Sequence, residues 1–177
     1  MKVIELCGKA GVGKDTFGNE LITQLENRGY TCIHIAFADR LKDICKRYFH
    51  WDEQKDTKGR DLLQRIGTDV FRNYDEDFWV REVCQFLMVC NFYNLFDYVI
   101  ITDARFPNEI TKLKECGFDV MAFRILRNNF ISTLNTEEQK HKSEIALDDF
   151  NMEEIVLSGD IKKLSEETEG FIAQWIL

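Results

Sequence analysis

The chain has 177 residues, 45% of them hydrophobic and 31% charged, which suits one domain with an ordinary buried core and excludes global disorder. Its 31 acidic against 23 basic residues leave a net charge of −8, so nucleic-acid backbone and anionic membrane are repelled, and neither is an expected partner. No run approaches the roughly 18 uncharged apolar residues of a membrane span, and MKVIEL runs straight into a charged, glycine-rich segment, which points to a soluble, non-exported, cytoplasmic protein.

In chain order, apolar runs of strand length alternate with amphipathic stretches of helix length. Lys2 to Cys7 reads as the first strand, and Lys14 to Asn27 as a helix with Phe17, Leu21, Ile22 and Leu25 on one face and Gly29 as its stop. Thr31 to Phe37 is a second strand, followed by a helix through Leu41, Ile44, Cys45 and Tyr48. Residues 51–59 (WDEQKDTKG) break the pattern and read as a mobile loop. Two helices, Arg60 to Asn73 and Glu76 to Phe92, then follow with no strand between them, which marks an insertion. Asp97 to Thr102 is a third strand, Glu109 to Cys116 a short helix, Asp119 to Leu126 a fourth strand, Glu153 to Leu157 a fifth and Ile161 to Trp175 a closing helix. Near-continuous apolar strands alternating with helices imply an α/β fold with a parallel sheet covered on both faces. Residues 127–144 are polar and read as a flap. The six cysteines never form CxxC and stand at no zinc-ligand spacing from His34, His50 or His141, so most are expected to be reduced and packed.

The segment Gly8-Lys9-Ala10-Gly11-Val12-Gly13-Lys14 follows a strand and opens a helix, the setting in which GxxxxGK wraps a phosphate. Backbone N–H groups of such a loop point at phosphate oxygens, the helix N-terminus adds positive potential, and Lys14 reaches the terminal phosphates. Gly8, Ala10, Gly11, Val12, Gly13, Lys14, Asp15 and Thr16 are the expected nucleotide-binding residues. Asp15 stands where a Ser or Thr hydroxyl usually meets Mg²⁺, with Thr16 one later. Its carboxylate either holds the metal, directly or through water, or acts only as an acid favoured by the helix dipole. Asp103 and Arg105 follow the third strand, at the sheet edge where ligands bind. Asp103 suits the metal or its water and Arg105 a bidentate grip on a phosphate, unless the two simply pair. Asp39 and Arg40 follow the second strand at that edge, Asp39 facing the acceptor or the metal water, or else capping its helix. In the insertion, Arg60, Gln64 and, more loosely, Arg72 share a helix face. Phe71, Tyr74, Phe78 and Trp79 are either core or a stacking surface for a base.

GKAGVGKDT, FADRLK (37–42), GRDLLQRIGTDVFR (59–72), Trp79, DYVIITDARFPNE (97–109) and HKSE (141–144) occur in an order that resembles bacteriophage-type deoxynucleoside monophosphate kinases, over about three-quarters of the chain. The resemblance implies a three-layer P-loop NTPase fold with a five-stranded parallel sheet, in a single domain. Its core would be 1–50 and 96–177, its helical acceptor-binding insertion about 51–95, and its short lid about 127–144. The implied reaction moves the γ-phosphoryl of Mg²⁺-bound ATP to a deoxynucleoside monophosphate. Lys14, Asp103, Arg105 and Arg127 are then the expected catalytic residues, Asp15 and Asp103 the metal ligands, and Asp39, Arg40, Arg60, Gln64, Arg72, Trp79 and Arg105 the acceptor contacts. Phosphomevalonate kinases of the same group look similar in several blocks, so a non-nucleotide phosphate acceptor is the nearest rival. A non-catalytic nucleotide switch is a rival of another class, disfavoured because the sequence holds no NKxD guanine-reading block. Whether the chain forms a homodimer stays open, as do the roles of His141 and Ser143.

Overall fold

The structure, a computed structural model, describes residues 1–54 and 56–176. Five strands, β1 (Lys2–Cys7), β2 (Cys32–Ile35), β3 (Tyr98–Ala104), β4 (Asp119–Arg127) and β5 (Glu153–Leu157), form one sheet in the order β2-β3-β1-β4-β5. Every neighbouring pair is parallel. The strand ends after which loops turn into helices therefore all lie along one edge, and β1, in the middle, delivers its glycine loop to the centre of that edge.

Side-chain alternation along the strands builds two cores from one sheet. Val3 and Cys7 of β1, with Val99 and Ile101 of β3, face α4 (Phe78–Phe92) and α5 (Pro107–Glu115) through Val80, Val83, Leu87, Ile110 and Leu113. Ile4, Leu6, Ile100 and Ile125 face the other way, onto Phe17, Leu21 and Leu25 of α1 (Lys14–Asn27) and Phe171 and Ile172 of α8 (Leu164–Trp175). Glu5 shares the face of Val3 and Cys7 and is fully buried, which drives its carboxyl well above the ordinary range.

A third, smaller core ties together α2 (Ala38–Phe49) and the helices after it: Leu41 and Cys45 pack on Ile66 and Trp79. The sequence pattern places a loop at 51–59, but Asp56 accepts a hydrogen bond from the Gly59 N–H at 2.8 Å and starts α3 at Thr57 (Thr57–Gln64), so the last three residues of that stretch are helical. Lys55 lies outside the described residues. Arg65–Arg72 continues α3 as a π-helix. The indole Nε1–H of Trp79 donates to the Gly67 carbonyl at 2.9 Å, inside this widened turn, and a Cβ at Gly67 would stand 2.6 Å from Leu41. The flap is built of two single-turn helices, α6 (Thr136–Gln139) and α7 (Lys142–Ile145). Four of the six cysteines, Cys7, Cys32, Cys45 and Cys90, are free, as expected of most, whereas Cys84 and Cys116 are joined as a disulfide between α4 and the end of α5.

Candidate active site

The glycine loop wraps tightly after β1. Gly8 has φ +135°, and a Cβ there would stand 2.6 Å from the Ile125 carbonyl oxygen of β4, so this turn needs glycine. Val12 is buried beneath the loop, and Gly13 caps α1. Lys14 is 7% exposed and donates from Nζ to the carbonyls of Gly8 at 2.9 Å and Lys9 at 3.0 Å. Burial, with Arg105 nearby as a second cation, pulls its ammonium down to about 8.

One turn into α1, Gly18 passes β3 so closely that a Cβ would stand 2.7 Å from Thr102 Cγ2. That approach sets Asp15 against the end of β3. The Thr102 hydroxyl donates to Asp15 Oδ1 at 2.5 Å and lies 2.8 Å from His34 Nε2 of β2. Since its single hydrogen goes to Asp15, the imidazole nitrogen is the donor to Thr102.

Asp103, next along β3, is half-buried, and its two oxygens accept from the N–H groups of Phe37 at 2.8 Å and Ala38 at 2.9 Å. It therefore anchors the start of α2 to the sheet. Burial raises its carboxyl above the usual range, against the pull of those two donors. Asp39 lies in the first turn of α2 and accepts from the Ala36 N–H at 2.9 Å and from Lys42 at 2.8 Å.

Glu109, to which the sequence assigned no role, organises the turn after β3. It sits at the third position of α5 behind Pro107, and its Oε2 accepts from the N–H groups of Arg105 at 2.6 Å and Phe106 at 3.0 Å. Its Oε1 is paired with Arg72, whose guanidinium also lies 3.8 Å from the Phe106 ring centroid and donates to Asn108 and the Glu76 carbonyl. The two side chains are 2% and 10% exposed. Burial pushes Glu109 up to about 7 despite Arg72. The glutamate three positions into a proline-started helix was the legible signal, since it reaches back to N–H groups before the helix.

Most of these groups line one cleft of about 520 Å³. Of the residues expected from sequence it brings together Ala10, Gly11, Lys14, Asp15, Asp39, Arg60, Gln64, Arg72, Trp79, Asp103 and Arg105, with Thr133 and Leu134 of the flap at its mouth. Gly8, Val12 and Gly13 shape the loop without lining that cleft, and Thr16 is exposed in the first turn of α1, outside it. Arg40 is exposed and turned away from it. Arg127 also lies outside the lining; its guanidinium sits 4.9 Å from the Phe130 ring centroid, and its stem packs where a Cβ at Gly159 would be 3.2 Å away. Trp79 is 4% exposed, packed among Phe71 and Phe78, so most of its ring serves the small core. Arg60 reaches the flap, 3.7 Å from Glu138. The HKSE block supplies α7: His141 caps it, its Nδ1 accepting from the Ser143 N–H at 3.2 Å, and Glu144 enters the cleft, its side chain 7% exposed.

Among solved structures, the tunicamycin resistance protein of Deinococcus radiodurans is 12% identical over 99% of this chain and 96% of that one, with a TM-score of 0.56. The shikimate kinase of Bacteroides thetaiotaomicron is 16% identical over 97% of this chain and 96% of that one, with a TM-score of 0.54. At such identities both are likenesses of fold. A comparison with curated protein sequences gives no match. The family description "deoxynucleotide monophosphate kinase" matches residues 26–167, well over half of the chain and beginning after the glycine loop. With the loop's own geometry in front of that match, the chain belongs to the deoxynucleotide monophosphate kinase family and is a P-loop phosphotransferase.

Proposed function

We propose that the protein transfers the γ-phosphoryl group of Mg²⁺-bound ATP to a deoxynucleoside monophosphate, giving a deoxynucleoside diphosphate and ADP. The observation that carries this reading is the meeting, in one cleft, of a phosphate-wrapping loop with an arm of amide, guanidinium and aromatic groups. Phosphoryl transfer needs two phosphates held in line, cations against their charge, and exclusion of water. Ala10, Gly11 and Lys14 supply the donor side. Arg105, whose backbone is held by Glu109, faces them as the grip on the acceptor phosphate. Gln64 and Arg60 offer donors to a base or sugar, Leu63 and the cleft-facing rim of the buried Trp79 offer apolar contact, and Thr133 and Leu134 exclude water at the mouth.

The donor set also fits Mg²⁺. Asp15 faces the cleft beside Lys14, with one carboxylate oxygen engaged by Thr102 and the other directed to no protein donor among the described residues. One carboxylate, with phosphate oxygens and water completing the shell, is the usual way Mg²⁺ is held at such sites. Bound there, the ion neutralises charge on the transferring oxygens. Asp103, with an N–H on each oxygen, serves this site by fixing the turn into α2 and reaches a metal only through water. Arg72 is committed to Glu109 and acts by positioning Arg105. Arg127, outside the cleft lining and packed on Phe130, is given no contact to the reacting phosphates in this reading.

The test is ADP release from ATP against a panel of deoxynucleoside monophosphates, ribonucleoside monophosphates and phosphomevalonate. At least one deoxynucleotide should raise the rate far above acceptor-free hydrolysis. Stimulation by phosphomevalonate alone would replace the proposed acceptor, and stimulation by none would end the kinase reading.

A further inference from the structure

The carboxylate of Glu144 occupies an unusual place. Its Oε1 accepts from Arg105 Nη1 at 2.6 Å, and its Oε2 accepts from the backbone N–H of Ala10, in the phosphate loop, at 3.2 Å. One donor belongs to the side of the cleft that wraps the donor phosphates, the other to the side that grips the acceptor. The bridging group is a buried anion with two oxygens, the same charge and hydrogen-bonding character as a phosphate edge.

The backbone that carries Glu144 is fastened independently of its side chain. Lys9 Nζ donates to the Glu144 carbonyl at 2.6 Å and to Asp148 Oδ1 at 2.6 Å. From beneath, Arg124 donates to the carbonyls of Leu147 at 2.5 Å and Phe150 at 2.9 Å, and Leu147 is buried in the core. The side chain can therefore leave its two donors by rotating about its own bonds while α7 stays in place, a change that requires no unfolding.

Resting on the reading of this cleft as the phosphoryl-transfer site, we propose that Glu144 is an internal stand-in for a substrate phosphate. It bridges the donor loop and Arg105, and it must be displaced when nucleotide binds. A donor phosphate takes the Ala10 N–H, and an acceptor phosphate takes Arg105. Either one breaks half of the bridge and lowers the cost of displacing the rest, so each substrate strengthens binding of the other. By linkage the two effects are equal. Glu144 thereby holds the two anion grips at a fixed spacing and couples their occupancy.

The experiment is calorimetric binding of Mg-ATP, with and without a deoxynucleoside monophosphate, to wild type, Glu144→Gln and Glu144→Asp. Removing one charge-assisted contact that competes with the ligand should tighten ATP binding by roughly tenfold in Glu144→Gln when ATP is added alone. The gain in ATP affinity on adding the acceptor, several-fold in wild type, should shrink toward none. Glu144→Asp keeps the charge but is one methylene short of the bridge, so it should show the same changes more weakly, and it serves where the glutamine protein does not fold. A folded variant that binds ATP no more tightly than wild type, or that keeps the full gain on adding acceptor, overturns the proposal. A wild-type protein that binds no ATP at all would overturn the kinase reading itself, and this proposal with it.

Discussion

The two sides of the cleft are built in opposite ways. On the reading proposed above, the donor side is one continuous segment, Gly8 to Asp15, whose backbone N–H groups and Lys14 hold the phosphates, and the neighbouring strand and helix hold its ends. The acceptor side is assembled from α3, the π-helix, α4 and the turn after β3, none of which carries a complete site. Beyond the small apolar core of Leu41, Cys45, Ile66 and Trp79, its polar tie is one buried carboxylate, Glu109, which joins Arg72 of the arm to the backbone of Arg105 and Phe106. The donor side should therefore lose chemistry without losing structure, whereas the acceptor side should lose structure first.

The largest expected effect tests the acceptor half of that statement. Glu109→Gln leaves a nearly buried guanidinium at Arg72 without its anion and places an amide hydrogen among donors, so it should cost about 3–5 kcal/mol of stability. The measurement is urea unfolding near pH 8, above the value of about 7 to which Glu109 is pushed, where wild type carries the charge. A Glu109→Gln protein as stable as wild type would mean that the arm is held by its apolar contacts alone, and the contrast between the two sides would fail.

Next comes the donor half. Lys14→Met should fold as well as wild type, since the methionine stays in the same enclosed place, yet lose about a hundredfold or more in kcat, as removal of a charge clamp on transferring oxygens does. Near-normal turnover in a folded Lys14→Met protein would remove this lysine from the mechanism. A matching drop in unfolding midpoint would show that the donor side is as structural as the acceptor side.

The smallest effect sharpens the comparison through pH. Burial and Arg105 hold Lys14 at about 8 instead of its ordinary 10.5. The phosphates of ATP favour its charged form, so binding draws a proton onto Lys14 as pH rises past that value. ATP affinity should accordingly be flat with respect to this group below about pH 7 and fall by up to about tenfold per pH unit above pH 8, with proton uptake seen as a buffer-dependent binding enthalpy. Linkage gives the opposite sign for folding. The unfolded chain holds the Lys14 proton more tightly than the folded one, so this lysine's contribution to stability rises with pH between about 8 and 10.5. Lys14→Met should show neither dependence; an unchanged pH profile in that variant would assign the titration to another group.

Local sequence was sufficient wherever a structural decision is made within a few consecutive residues. The glycine loop is of this kind: a positive φ at Gly8 and a helix opening at Lys14 are properties of GKAGVGKD itself, which is why Gly8 through Asp15 could be picked out unaided. The strands were legible for the same reason, because runs such as Val99 to Ile101, buried on both faces, are continuously apolar. Arg60, Gln64 and Arg105 lay within reach of the same reasoning, although which of them still has free donors did not. That choice belongs to tertiary structure. Arg72 is spent on Glu109, Asp103 on the backbone of Phe37 and Ala38, and Arg40 turns to solvent, all through contacts between residues 37 or more positions apart or through the direction of a helix face. Nor does the spacing of HKSE disclose that its glutamate crosses more than a hundred residues to reach the Ala10 N–H. A carboxylate's charge is written in its own residue, but its partner is set by the path of the sheet, and a side chain already satisfied within the fold has correspondingly less to offer a substrate.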